Sequence, residues 1–299
     1  MSWQKEIDEL NKRKKLAQEL GGKEKVERQH KANRNTIRER INLFFDKDSF
    51  QEFGMLSGQS SYKETGELEN FLPANSIIGH GLVNQQSIAF YGDDFTVRGG
   101  AADASIWEKM VAAEKLANEY EIPLVRFIEG TGGGGSVKSL EKQGSTYVPF
   151  NPGWDKVIEN LSKIPVISLA LGPVAGLGAA RLVSSHYSIM VKKVSQIFVA
   201  GPPLVEKIGE KVTKEELGGS EIHGNNGVMM QLQGNLLATH FNPGSYHYSD
   251  FSPLVDTNYN IVYRQNSNGM QIFVDGVLAP FGPPDNDWMA YQNILRPSS

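Results

Sequence analysis

The 299-residue chain contains no cysteine, which excludes disulfides, thiolate-bound zinc and a cysteine nucleophile. No apolar run approaches the roughly 20 residues that a membrane-spanning helix needs. The first residues, Met1-Ser-Trp-Gln-Lys-Glu6, are charged where a secretory signal would be apolar. A large excess of one charge is also missing: a net charge of −4 gives no bulk attraction for nucleic acid. The six histidines show no metal-ligand spacing, so no metal is expected. These absences lead to the expectation of a soluble chain in the cytoplasm, or in the mitochondrial matrix of a eukaryote, without membrane or nucleic-acid partners.

One more absence divides the chain. After Val228 there is neither lysine nor glutamate, and only two arginines, Arg264 and Arg296, while Asn, Tyr and Pro are frequent. Helical periodicity stops at the same point, and no secondary structure is assigned to residues 229–299. The N-terminal end is the opposite. Residues 1–45 are highly charged and read as a helical arm, either a solvated face or a contact for a polyanion such as nucleotide phosphates.

Between these ends, two glycine-dense segments dominate: Glu129-Gly-Thr-Gly-Gly-Gly-Gly-Ser136 and Gly172-Pro-Val-Ala-Gly-Leu-Gly-Ala-Ala180. Each follows an apolar run that reads as a buried strand, Ile122–Ile128 and Ile164–Leu171, and each precedes a helical stretch. Glycine lets a ligand approach the main chain and lets N–H groups point at developing negative charge. Gly81–Asn84 and Ser87–Tyr91 read as strands paired around an Asn-Gln turn. Ile106, Met110, Ala113 and Leu116 recur at helical spacing within 102–119, and a further helix is expected near Trp154–Leu161. Short strands at Ser188–Val191 and Gln196–Val199 complete an α/β alternation with largely parallel pairing.

The glycines do not end in the Gly-Lys-Ser/Thr of a P-loop, and they come too late for a dinucleotide fold. Asp93-Asp94 point to opposite faces of an extended strand, so a turn or cap role is favoured over paired acid–base chemistry. Glu129 stands where a general base would, although a strand-end carboxylate also bonds nearby N–H groups. His186 reads as a satisfied core histidine and His223 as a loop organiser; Lys138 either steers an anion or is exposed.

In order, Val26-Glu-Arg-Gln-His-Lys31, Arg38-Glu-Arg-Ile-Asn-Leu43, Asp46–Phe50, Asp94-Phe-Thr-Val97 with Gly99-Gly100, Gly132–Gly135, Gly172–Gly176, Phe198–Pro202 and Glu216–Ser220 with His223 form a set. The set resembles the carboxyltransferase (beta) subunit of biotin-dependent acyl-CoA carboxylases, the propionyl-CoA and methylcrotonyl-CoA type, over residues 20–228. The resemblance implies a crotonase/ClpP-like superhelix of β-β-α units carrying a helical arm and an irregular C-terminal tail. It also implies three segments: arm 1–45, acyl-CoA-binding half 46–228, and an atypical tail 229–299. The second, biotin-receiving half of that family is not matched.

By the same resemblance, a carboxyl group passes from carboxybiotin to the α-carbon of an acyl-CoA, with the base being biotin itself. Enolate donors are assigned to Gly132, Gly133 and Gly134. CoA or substrate contacts are assigned to Arg38, Arg98, Gly99, Gly100, Gly172, Val174, Ala175, Gly176 and Gly178. Arg98 stands where an apolar residue is expected; it either pairs with a phosphate or a substrate carboxylate or is a plain surface arginine. Implied partners are a biotin carboxyl carrier protein, biotin carboxylase and further copies in a trimer-based ring. Alternatives are a non-catalytic assembly subunit, a biotin-dependent decarboxylase subunit and a crotonase-type hydratase or isomerase. The tail permits a further reading: in the frame starting at the third codon base, Val228-Met-Met-Gln-Leu-Gln-Gly-Asn allows Asp-Asp-Ala-Ile-Ala-Arg-Glu. That is the acidic helical sequence expected at this point, so a shifted reading frame is expected from 229 onward.

Overall fold

The computed structural model describes residues 3–101, 107–131 and 153–225, and beyond these only the backbone of strand segments between 230 and 278. The charged arm forms three helices, α1 (Gln4–Gln18), α2 (Lys23–Lys31) and α3 (Ile37–Phe44). Thr36 starts α3 with a capping box: Glu39 N donates to the Thr36 hydroxyl at 3.4 Å, and Thr36 N donates to Glu39 Oε2 at 2.7 Å.

Strands β1 (Gln51–Phe53), β4 (Ser76–Val83) and β5 (Gln86–Asp93) pair antiparallel, while β2 (Gly58–Tyr62) and β3 (Leu68–Pro73) form a separate ribbon. The β4–β5 connection is the expected Asn-Gln turn. Asn84 and Gln85 take φ of 48° and 64°, the left-handed pair that a two-residue hairpin requires. The chain then alternates: α4 (Trp107–Tyr120), β6 (Leu124–Thr131), α5 (Trp154–Lys163), β7 (Val166–Ala175), α6 (Leu177–Val183) and β8 (Tyr187–Val191). β5, β6, β7 and β8 are parallel in that order, and β9 (Gln196–Phe198) pairs with the end of β7. The helix expected over 102–119 is described from Trp107 onward. Short helices α7 (Pro202–Val205), α8 (Lys214–Gly218) and α9 (Ser220–Asn225) follow.

The sequence reading left 229–299 without regular elements. The backbone there carries strand segments: Met230–Gln233 lies parallel to β8, and Leu236–Asn242 and Ser245–Tyr248 extend the same sheet. Ile261–Asn266, Gly269–Val274 and Val277–Leu278 form a ribbon of their own.

Side chains alternate across the parallel strands as the pleat demands. From β6, Val125 and Phe127 face α3, where they join Ile37, Ile41, Phe45 and Phe90. Phe90 packs edge-on to Phe127 at 5.0 Å and to Phe45 at 5.4 Å. Each such ring removed from water contributes about 1.5–3 kcal/mol. Leu124 and Ile128 face α4 and α6, packing with Ala117 and with Leu182 respectively. On β7 the even positions 166–174 are buried and the odd ones half-buried. An apolar run such as Ile164–Leu171 does not disclose that difference.

Candidate functional site

Three glycine-bearing segments converge at the C-terminal end of the parallel strands, where open α/β sheets bind ligands. The first is the turn after β5. Arg98, Gly99 and Gly100 all lie at positive φ (56°, 62° and 71°), a left-handed run that two glycines make affordable and that strains the arginine. The second is the end of β6. A Cβ on Gly130 would lie 2.9 Å from both Gly100 Cα and Gly99 O, so the two segments touch backbone to backbone. The third is the end of β7, where Val174 and Ala175 pair with Gly130 and Thr131. The enolate donors assigned to Gly132, Gly133 and Gly134, and Lys138, lie outside the described residues.

The second glycine-dense segment is not a turn throughout. Strand β7 continues to Ala175, because Pro173, Val174 and Ala175 pair with Gln196, Ile197 and Phe198 of β9. The reversal falls on Gly176 alone, at φ 61° and ψ −128°, a conformation open to glycine. Gly176 N donates to the carbonyls of Phe198 and Val199 at 3.2 and 3.1 Å. The first bond inside α6 is Ala180 N to Gly176 O at 3.1 Å. The N–H groups of Leu177, Gly178 and Ala179 therefore have no acceptor within the helix.

The turn after β5 is locked from both sides. Asp94 Oδ1 accepts from Thr96 N at 2.9 Å and from the Thr96 hydroxyl at 2.6 Å, the cap role expected of it. Gly21 N donates to the same hydroxyl at 2.9 Å, and a Cβ at residue 21 would collide with Thr96 O. The α1–α2 corner is thereby seated on the turn. Beside it lies a cavity of about 500 Å³ lined by Lys25, Arg28 and Arg98 together with Gly21, Thr96 and Gly99. Among the described residues no carboxylate lines it, although Lys25 also pairs with Glu24 at 3.2 Å. Arg38 sits apart from this cavity: it pairs with Glu52 at 2.9 Å and lines a separate cleft with Asp46, Lys47 and Asp48.

Glu129 is buried behind the strand ends. Gln29 donates to its Oε1 at 2.9 Å, Arg34 pairs with Oε1 at 3.0 Å, and Arg40 pairs with Oε2 at 2.5 Å. Both oxygens thus face cationic or amide donors, the arrangement of an anchored carboxylate rather than of a base open to substrate. Asp93 accepts from the Tyr91 hydroxyl at 2.6 Å and from Glu129 N at 3.0 Å. Burial pushes Asp93 and Asp94 each up to about 6, against the opposing pull of their hydrogen bonds.

His186 is satisfied as expected, but at the surface rather than in the core: Nδ1 accepts from Val166 N at 3.0 Å and Nε2 donates to Leu161 O at 2.9 Å. His223 Nε2 donates to Ile197 O at 2.7 Å, tying the segment after α8 to β9.

Sequence reasoning missed a second buried ionic cluster. Glu114 on α4 takes a two-pronged contact from Arg126 at 2.9 Å, and Arg181 at 2.8 Å. Arg126 also donates to the carbonyls of Arg181 and Ser184, closing the C-terminus of α6. The signal was present: an arginine inside Leu124-Val-Arg-Phe-Ile128 needs a buried partner. Lys109 was missed as well. It is buried and donates to Ser76 O at 2.5 Å, and burial brings its ammonium down to about 8.

The family profile described as "Carboxyl transferase domain" matches residues 28–235, running past the composition break at 228. The chain is 30% identical over 225 residues to a propionyl-CoA carboxylase carboxyltransferase subunit of Haloferax mediterranei, covering 75% of this chain and 42% of that protein. It is 31% identical over 224 residues to the alpha subunit of methylmalonyl-CoA decarboxylase of Propionigenium modestum, covering 73% and 42%. Among solved structures, the transcarboxylase 12S core with methylmalonyl-CoA and methylmalonic acid bound aligns at a TM-score of 0.62 and 26% identity, covering 77% of this chain and 44% of that one. The beta subunit of Pseudomonas aeruginosa geranyl-CoA carboxylase shares the fold at a TM-score of 0.59 and 23% identity, covering 76% and 41%. The chain therefore spans less than half the length of these relatives.

Proposed function

We propose, from the premise that this chain belongs to the carboxyl transferase domain family, that it is the acyl-CoA-binding half of a biotin-dependent acyl-CoA carboxyltransferase. The observation that carries the reading is the junction of the Arg98–Gly100 turn, the β6 end and the β7 end beside a cavity lined by three cations. A phosphate-bearing carrier suits Lys25, Arg28 and Arg98, and its pantetheine arm would run from there toward the glycine-bearing strand ends. At those ends, main-chain N–H groups meet the thioester oxygen as it gains charge on loss of the α-proton. Losing one such donor typically costs ~10²–10³ in rate. Leu177, Gly178 and Ala179 carry N–H groups without a helical acceptor, and Gly132–Gly134 remain assigned to the same work. Carboxybiotin arrives as a substrate on a carrier chain or domain and supplies the carboxyl group.

The similarity to decarboxylase subunits bears on direction, because the same enolate forms when a carboxyl group leaves. We extend the proposal to both directions and to an assembly with a second half supplied elsewhere. The boundaries at 45 and 228, and the shifted frame from 229, stand as proposals too; genomic sequence from codon 220 onward tests the frame.

Titration calorimetry tests the site. The chain is expected to bind CoA weakly and to transfer no carboxyl group from carboxybiotin by itself. Arg28→Gln and Arg98→Leu should each weaken CoA about tenfold, the value of one charge-assisted phosphate contact, while leaving pantetheine affinity unchanged. Equal losses for CoA and pantetheine would remove the phosphate assignment. Turnover by the isolated chain would overturn its incompleteness.

A further inference from the structure

Glu129 joins the N-terminal helices to both strand ends of the candidate site. Its side chain is about 1% exposed, and its three side-chain donors, Gln29, Arg34 and Arg40, all come from the segment spanning α2 and α3. Arg40 also donates to Leu171 O at 3.0 Å, so one guanidinium grips β6 through Glu129 and β7 through its main chain. Glu129 N is fixed in turn by Asp93 at 3.0 Å. The carboxylate lies directly against Gly172, where an added Cβ would stand 2.4 Å from Oε1 and 2.6 Å from Cδ.

We propose that Glu129 is a positioning residue, through which α2 and α3 hold the ends of β6 and β7 at one spacing, and that residue 172 is glycine to admit this carboxylate rather than a ligand. The inference rests on the reading of these strand ends as the acyl-CoA site, and it reassigns Gly172 within that reading. A methyl group at 172 must displace either the carboxylate or the β7 backbone, since neither is the free end of a flexible chain. Displacing the carboxylate breaks three contacts together, and the two strand ends lose their common clamp. The same geometry explains why a carboxylate immediately ahead of the glycine run need not be a base: its lone pairs are already directed to guanidinium and amide donors.

The test is a double-mutant cycle of Gly172→Ala and Glu129→Ala, with Arg34→Gln as a milder variant that leaves Gln29 and Arg40 in place. Amide exchange is followed at residues 128–131 and, as an internal reference, at residues 124–127 of the same strand. Each single variant should speed exchange at the strand end by roughly tenfold or more while the reference amides change far less. The double variant should be no worse than Glu129→Ala, because alanine at 129 vacates the space that the new methyl group fills. Additive single effects, or protection lost evenly along β6, would overturn the proposal, since a merely stabilising ion pair gives that pattern. CoA titration of Arg34→Gln supplies the functional arm. A roughly tenfold loss of affinity supports positioning, and unchanged affinity alongside faster strand-end exchange overturns it. Wild-type chain that does not bind CoA would sink the carboxyltransferase reading, whereas the exchange pattern would still decide for or against the clamp.

Discussion

Glu114 and Glu129 form a natural experiment within one molecule. Both are about 1% exposed, and each is held by two arginines. Each cluster even rests an arginine on an aromatic ring, Arg181 over Tyr91 at 4.0 Å and Arg34 over Phe95 at 5.0 Å. They differ in what the arginines are attached to. Arg126 and Arg181 belong to β6 and α6, elements already packed against α4 by apolar contacts. Removing Glu114 therefore leaves two charges in a place they cannot leave. Arg34 and Arg40 belong to the helical arm, and their side chains retain 14% and 10% exposure. The Glu129 cluster fastens one layer to another, and water can reach its edge. The lesson is that equal burial and equal pairing do not imply an equal role: the first cluster holds the core together, while the second sets the geometry of strand ends.

The largest expected effect breaks the symmetry directly. Glu114→Gln should cost about 3–5 kcal/mol of unfolding free energy, the penalty for stranding buried cations. Glu129→Gln should cost less, about 1–3 kcal/mol, because the arm can shift and hydrate its arginines. Urea denaturation of the two variants compares them, and equal costs would abolish the distinction.

The two regions should also differ in pH response. Burial works to raise the Glu114 carboxyl, but Arg126 and Arg181 outweigh it and hold Glu114 below the ordinary range. Its stabilising contribution is thus present above the unfolded-state value, near 4.3, and is lost only as pH falls further. On the other side, burial raises Asp94, beside the Thr96 turn, to about 6. A raised folded-state value reverses the sign: the contribution is complete below about 4 and disappears as pH climbs through about 6. Wild-type stability should therefore carry a falling component of about 2–3 kcal/mol from Asp94 between those limits. Asp94→Asn should flatten that component whatever its effect on absolute stability. Denaturation midpoints taken across pH 4–7 measure it, and parallel curves for wild type and variant would exclude it.

The smallest effect sharpens the contrast. Thr36→Ala removes one half of the capping box on α3, the helix that carries Arg40, at about 1 kcal/mol. Amide exchange should rise across α3 and the β6 end while α4 and α6 stay protected. A uniform rise would mean that the arm and the core act as one unit.

Much of this architecture was legible in the residues. The Asn84-Gln85 turn, the strands ahead of each glycine segment and the charged helical arm all follow from local preferences and short-range periodicity. Asp94 was readable as a cap because its side chain satisfies donors two residues away. Arg126 announced a buried partner without naming it, since Glu114 sits on the preceding helix and nothing local links them. Gly172 was misleading for the opposite reason. A glycine after an apolar run reads as a turn or a ligand approach, and only the fold brings a carboxylate from the neighbouring strand against it.

The residue order alone determined the α/β alternation, the charged helical arm and the Asn84-Gln85 turn, because these depend on contacts between neighbours in the chain. Tertiary structure alone decided what Glu129, Arg34, Arg40 and Gly172 do. Arg40 reaches Glu129 across 89 positions and Leu171 across 131, and the energy of a buried charge depends on which partners the packing brings within about 3 Å, a quantity that no local pattern encodes.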